Sequence, residues 1–246
     1  MSLALTNLVI IPTYNEVENI EAIINAVLDQ GDEFSILIVD DNSPDGTASK
    51  VKSHDLFLKR IFILERSAKL GLGSAYIEGF KYALSKRFDL IYEMDADFSH
   101  NPNTLKDLKQ ACIDGADIAV GSRYTKGGGI HNWTYERLAL SFCASLYVRM
   151  ITGMPVKDPT AGFVCYKRLV LESIDLDKVK FIGYAFQIEM KYTAWQKGFI
   201  IKEVPILFED RKAGTSKMNT SIVSEAIKGV INLRFRALKG EFRKNT

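Results

Sequence analysis

Cysteine is scarce: the 246 residues contain three, Cys112, Cys143 and Cys165. An odd number, widely spaced among apolar neighbours, argues against a disulfide framework or a zinc site and suits a reducing compartment. Histidine is as rare, and His54, His100 and His131 have no metal-ligand spacing. No stretch is long and apolar enough to span a bilayer. The longest predominantly apolar run, 138–148, is flanked by Arg137 and Arg149. No basic n-region and apolar h-region follow Met1, so no cleaved leader is expected, and Asn132-Trp-Thr and Asn219-Thr-Ser read as chance sequons. Neither sign of charge dominates: 32 Lys and Arg against 30 Asp and Glu give a net +2. That balance implies no bulk attraction to nucleic acid or to an anionic membrane. Internal repeats and low-complexity segments are absent too.

What is present is an ordinary soluble composition and enough chain for one large α/β domain. Apolar runs at 7–12, 34–39, 60–65, 90–94 and 116–121 read as buried strands. Between them lie helical patterns at 16–30, about 47–54, 71–85 and about 103–112. Alternating strands and helices predict βαβ units, a parallel sheet and helices on both of its faces. The second half is less regular. Glycines 127–129 read as a flexible connection, and 133–151 as a helix. A turn at 158–162 leads to a short strand at 163–166. Further on come a helix at 185–195, a strand at 200–208 and a final helix over about 220–242.

Residues 90–100 are central. A buried strand ends abruptly in Asp95-Ala96-Asp97, two carboxylates separated by one small residue. Such a strand tip is suited to gripping Mg²⁺ or Mn²⁺, hard ions that share carboxylates with substrate phosphates. Ligands on open parallel sheets lie outside the carboxyl ends of the strands. That rule gathers Pro12 to Glu16, Asp40-Asp41, Asp95 to Ser99 and Ser122-Arg123 around one crevice.

These pieces resemble family 2 glycosyltransferases, above all the polyprenol-phosphate mannosyltransferases. The likeness is carried by Pro12-Thr-Tyr-Asn-Glu16, Val39-Asp-Asp-Asn-Ser-Pro-Asp-Gly-Thr47, Gly71-Leu-Gly-Ser-Ala-Tyr76 and Met94-Asp-Ala-Asp-Phe-Ser-His100. Gly121-Ser-Arg-Tyr124, Asp158-Pro-Thr-Ala-Gly-Phe163, Phe186-Gln-Ile-Glu-Met190 and Arg211-Lys-Ala-Gly-Thr-Ser-Lys217 complete it, in the family's order. The resemblance implies a glycosyltransferase A-type fold: a Rossmann-like, mostly parallel central sheet flanked by helices. It implies a catalytic domain over 1–218 and a basic amphipathic helix over 219–246.

It also implies roles. Pro12, Tyr14, Glu16, Val39 and Asp41, with Asp95 and Ala96, would hold the nucleotide sugar, GDP-mannose. Asp95 and Asp97 would carry the Mg²⁺ or Mn²⁺ cofactor, with Ser99 where some relatives have a glutamine ligand. Arg123, Arg137, Ser141, Arg211 and Lys217 would hold the phosphate of a polyprenyl acceptor. Asp97, Arg123, Arg211 and Lys217 are the expected catalytic set. Guanidinium forks suit phosphate bidentately, while lysine acts as a point charge. Other readings stay open: Glu16 as a first-turn helix carboxylate, Glu189 as a structural acceptor or a sugar contact, and Lys69 beside the diphosphate. The donor could instead be UDP-glucose or UDP-N-acetylglucosamine, or the chain a nucleotide-sugar-binding subunit without turnover. Access to a lipid would come from a peripheral surface on the cytoplasmic face of a membrane or from a membrane-anchoring partner. The last helix, apolar on one side and basic elsewhere, reads either as an interfacial helix or, with at least equal weight, as a helix packed on the domain with a solvated basic face.

Overall fold

The computed structural model describes residues 5–181, 183, 185–209 and 220–242, with side chains from 227 onward in the last segment. In chain order, the elements of the first half are β1 (Asn7–Thr13), α1 (Ile20–Leu28), β2 (Phe34–Asp40), α2 (Thr47–Lys52) and β3 (Ile61–Glu65). Then come α3 (Leu72–Ser85), β4 (Leu90–Glu93), α4 (Leu105–Ile113) and β5 (Ile118–Ser122). The second half gives β6 (Gly129–His131), α5 (Tyr135–Thr152), β7 (Val164–Lys167), α6 (Arg168–Ser173) and α7 (Ala185–Gln196). It ends with β8 (Ile201–Pro205), β9 (Leu207–Glu209) and α8 (Thr220–Leu238).

Seven of the described strands form one sheet in the order β3-β2-β1-β4-β7-β5-β8. All neighbours are parallel except β7, which runs antiparallel between β4 and β5. The order reverses between β1 and β4, and that switch point is where an open α/β sheet leaves a crevice. Side-chain alternation divides the core in two. Val9 and Ile11 of β1 face a cluster with Ile20, Ile24 and Val27 of α1 and Leu105 and Leu108 of α4. Leu8 and Ile10 face the opposite cluster, with Tyr76 and Phe80 of α3 and Phe186 and Met190 of α7. Both faces are covered, which is why these strands read as continuous apolar runs.

α3 lies close on β1. A Cβ added at Gly79 would sit 2.7 Å from Cγ2 of Ile10. Gly79→Ala gains about 1 kcal/mol of helix propensity and loses about 1–3 kcal/mol to overpacking. A net destabilisation of about 1 kcal/mol is expected, read as a lower urea midpoint at unchanged m.

Several boundaries differ from expectation. The first helix starts at Ile20 rather than Glu16, because residues 15–17 are drawn aside into contacts with the 43–47 loop. The expected strand 200–208 breaks at Ile206, which turns into the core, so β8 stays in the main sheet and β9 leaves it. β9 pairs in parallel with β6, so the segment read as a flexible glycine connection is strand from Gly129 on. The final helix packs on α5 and α7 around Val148, Ile188, Tyr192, Val230 and Leu233. The expected boundary at 218/219 falls outside the described residues.

Candidate active site

The loops after β1 and β2 are fastened to each other. The Thr13 hydroxyl donates to Asp40 Oδ1 at 2.7 Å, and Ser43 donates to the same carboxylate from its backbone N at 2.8 Å and its hydroxyl at 2.6 Å. The backbone N–H groups of Asn15, Glu16 and Val17 donate in turn to Ser43 Oγ, Thr47 Oγ1 and Asp45 Oδ2. Burial pushes the Asp45 carboxyl up, but the hydrogen bonds from Thr47 and Val17 outweigh it and hold the group below its ordinary value. Asp40 and Asp45 therefore serve the loops. Asp41 has a different partner: Arg66 Nη1 at 2.8 Å, whose side chain is only 2 % exposed. Burial raises the Asp41 pKa against the pull of Arg66. Arg66 also donates to Ser74 Oγ at the start of α3, which ties the third strand end to the glycine-rich turn. Tyr14 stands partly exposed at the rim with the Lys69 ammonium 4.1 Å from its ring centre. Val39 is fully buried, so only its main chain can face a ligand, and Pro12 is half-buried beside it.

Sequence reasoning passes over Arg66. The signal was available: it is the first residue after β3, and the strand-end rule applies to β3 as to its neighbours.

The β4 tip is tightly built. Asp97 Oδ1 accepts from the Ser99 backbone N at 3.0 Å, and the Asp95 backbone N donates to His100 Nδ1 at 3.2 Å. Nδ1 is thus the acceptor of the ring, and its proton sits on Nε2. Asp95 and Asp97 are half-buried and Ala96 between them is buried. Phe98 has φ +60°, a conformation a bulky residue adopts only when its surroundings impose it. Asn15 and Asn42, at +60° and +59°, bend the other two strand ends with less strain, since asparagine tolerates this region.

The opposite wall centres on Arg123. Its backbone N and Nε donate to Asp158 Oδ2 at 3.0 and 2.7 Å, and Nη2 donates to Asp158 Oδ1 at 2.7 Å and Thr160 Oγ1 at 2.9 Å. Asp158 is fully buried. Three rings border the guanidinium, with centres 5.3 Å away for Tyr124, 5.8 Å for Trp133 and 5.6 Å for Phe208. Arg137 stacks on Trp133 at 4.0 Å. The Tyr124 hydroxyl donates to Ser141 Oγ at 2.7 Å. Three of the residues expected to hold the acceptor phosphate, Arg123, Arg137 and Ser141, are therefore linked through Tyr124 and Trp133. The other two, Arg211 and Lys217, lie outside the described residues. Phe208, against Arg123, His100 and Trp133, precedes Arg211 by three positions.

His100 joins the two walls. It stacks on Phe163 and meets Phe208 edge-on. Burial lowers its pKa, the charges of Asp95 and Asp97 raise it, and that of Arg123 lowers it again. Its Nδ1 accepts from Asp95 on one side, and its ring meets Phe208, a neighbour of Arg123, on the other. Glu189 belongs elsewhere. Its carboxylate accepts from the backbone N of Lys180 and Phe181 and from Arg236, so of its two readings the fold supports the structural one.

The model of one protein family, described as glycosyl transferase family 2, matches residues 8–175, more than half of the chain. The chain belongs to glycosyl transferase family 2. Within that family it is 45% identical over 223 residues to polyprenol monophosphomannose synthase of Mycolicibacterium smegmatis, covering 89% of this chain and 83% of that protein. It is 41% identical over 223 residues to undecaprenyl-phosphate mannosyltransferase of Micrococcus luteus, covering 91% of each. Its fold is that of glucosyl-3-phosphoglycerate synthase from Mycobacterium tuberculosis, solved with Mn²⁺, UDP and glucosyl-3-phosphoglycerate. The TM-score is 0.65 at 16% identity, over 96% of this chain and 81% of that one. As a family 2 glycosyltransferase, then, the chain has the A-type fold and places its Asp-x-Asp at the switch point of the sheet.

Proposed function

We propose that this protein is an inverting, divalent-metal-dependent mannosyltransferase that moves mannose from GDP-mannose to a polyprenyl phosphate. One observation carries the reading: His100, which accepts from the Asp95 backbone N at 3.2 Å, meets edge-on the Phe208 ring that lies 5.6 Å from the Arg123 guanidinium, so the carboxylate tip and the cationic wall border one ring. Carboxylates suited to a cation–diphosphate pair thus face a guanidinium suited to a second phosphate. The names of the two relatives give the sugar and the acceptor class.

The donor set is compatible with Mg²⁺ or Mn²⁺. Among the described residues no group of three or more His, Cys, Asp or Glu side chains is placed to hold an ion by itself. Two carboxylates sharing an ion with phosphate oxygens are the usual arrangement for such hard cations. The Ser99 hydroxyl, buried at the same tip with no hydrogen-bond partner, is a further oxygen within the motif. The ion, when bound, supplies positive charge to the departing diphosphate.

The chain's own residues do the rest. Tyr14, Asp41 and the zipped loops hold the nucleotide at the β1–β2 side. Arg123, braced by Asp158, with Arg137 and Ser141, orients the acceptor phosphate. One acceptor oxygen attacks C1 of mannose as the bond from C1 to the GDP oxygen breaks, and the bonding pair leaves with GDP. Attack opposite the leaving group turns the α-linked donor into a β-linked product. A phosphate is already anionic, so no general base is required of the site.

α5 offers the route to a lipid. Of its 18 residues only Ser145, Val148 and Thr152 are buried, while Leu138, Leu140, Phe142, Leu146 and Met150 are exposed. Ile227, Ile231 and Phe235 of the adjoining α8 are exposed as well. Among the described residues no helix is long and apolar enough to cross a membrane. We therefore assign α5 together with α8 as a peripheral seat on the membrane's cytoplasmic face.

The test is transfer of radiolabelled sugar from GDP-mannose, UDP-glucose and UDP-N-acetylglucosamine to polyprenyl phosphate with Mg²⁺ or Mn²⁺. Lipid-linked mannose from GDP-mannose is expected. Product from a UDP-sugar alone would replace the donor, and no product from any donor would sink the transferase reading.

A further inference from the structure

α7 is buried at every position from Ala185 to Ala194, yet it carries Gln187, Glu189 and Lys191. Glu189 is accounted for by Arg236. Lys191 is not part of the crevice and is 0 % exposed. Its ammonium has three donors and finds three acceptors: the Ala161 carbonyl at 2.7 Å, the Gln187 carbonyl at 3.0 Å and Gln187 Oε1 at 3.1 Å. Ala161 belongs to the turn that presents Asp158 and Thr160 to Arg123. Lys191 thus ties α7 to the wall that holds Arg123.

The other wall is reached through Glu93. This residue ends β4, two positions before Asp95, and is fully buried. The register across β4 and β7 puts Glu93 opposite Val164 and Ile91 opposite Tyr166, on the sheet face that α3 and α7 cover. Both Glu93 carboxyl oxygens, the Gln187 amide nitrogen and the hydroxyls of Tyr76 and Tyr166 are buried there with no hydrogen-bond partner. Burial pulls the Lys191 ammonium down to about 8, and the Glu93 charge is the largest influence holding it up. The two side chains therefore lie within each other's field, although no direct ion pair joins them. A buried cation is expensive, and an apolar residue would fill the same core without that cost. Packing alone gives no reason for a lysine here; fastening two walls does.

We propose that Lys191 is a positioning residue for sugar transfer, fastening the 158–162 turn to α7 on the sheet face where Glu93 is buried, so that the Asp95–Asp97 tip and Arg123 keep a fixed separation. The proposal rests on the transferase reading above.

Wild type, Lys191→Met and the double variant Lys191→Met with Glu93→Gln decide it. The double variant removes both buried titratable groups together, a change proteins often accept without loss of stability. Two readouts are taken: kcat and KM for transfer, and backbone hydrogen exchange of residues 157–163. In each variant that folds, kcat is expected to fall by about 10²-fold at unchanged donor KM, the scale of a small misplacement of reacting groups. Exchange at 157–163 is expected to quicken. The proposal is overturned if the folded double variant turns over at the wild-type rate, if exchange in that segment does not change, or if neither variant folds. In the last case Lys191 serves stability alone. Should wild type itself give no lipid-linked product, the transferase reading fails and the exchange comparison alone decides the tether.

Discussion

Asp97→Ala is expected to lower mannosyl transfer by about 10³-fold or more while leaving the fold in place. The reaction expels a diphosphate, and stabilising that charge through a bound cation is worth several kcal/mol, at about 1.4 kcal/mol per tenfold in rate. Asp97 is half-buried at the mouth, and its Oδ1 accepts from the Ser99 backbone N within the same turn. Loss of that bond costs about 1 kcal/mol, too little to unfold the domain. Two measurements make the comparison: transfer at saturating Mn²⁺, and Mn²⁺ binding in the presence of GDP, followed by electron paramagnetic resonance. Both should collapse together. Transfer retained in the folded variant would move the cation away from this tip.

Asp158→Ala is expected to damage stability and transfer at once. Asp158 is fully buried and accepts three hydrogen bonds from Arg123. Removing one partner of a buried ion pair typically costs about 3–5 kcal/mol, because the remaining charge is left without compensation. For a chain of this size that is a fall in melting temperature on the order of 10 °C. The guanidinium also loses the fork that aims it, so transfer by the protein that remains folded should drop by about 10²-fold. Asp158→Asn keeps an acceptor oxygen and should lose less on both counts. A thermal shift of a degree or two with full activity would show that Arg123 is held by its rings and Thr160 alone.

The proposed nucleotide side of this protein is legible in the sequence because its determinants are local. Buried parallel strands are unbroken apolar runs, and the loops that end them carry Asp41, Asp95 and Asp97 within a few residues of the strand. The proposed acceptor side is less legible because it is assembled from distant pieces. Arg123 meets Asp158 from 35 positions away and Phe208 from farther still. No periodicity reports such a pairing. The Ile206 break in an apolar stretch looks like continuous strand until the core is seen to claim that side chain. Lys191 escapes for a related reason: a lysine between apolar neighbours reads as a surface residue unless the helix around it is known to be buried on every side.

β6 and β9 are parallel, and their paired residues, Gly129 with Leu207 and Ile130 with Phe208, stand 78 positions apart in the chain. Parallel strands admit no tight reversal between them, so this ribbon is expected to close only after α5, β7, α7 and β8 have found their places, late on the path from the unfolded chain. On that order a nascent molecule would complete the loops proposed to hold the nucleotide before the wall proposed to receive the lipid.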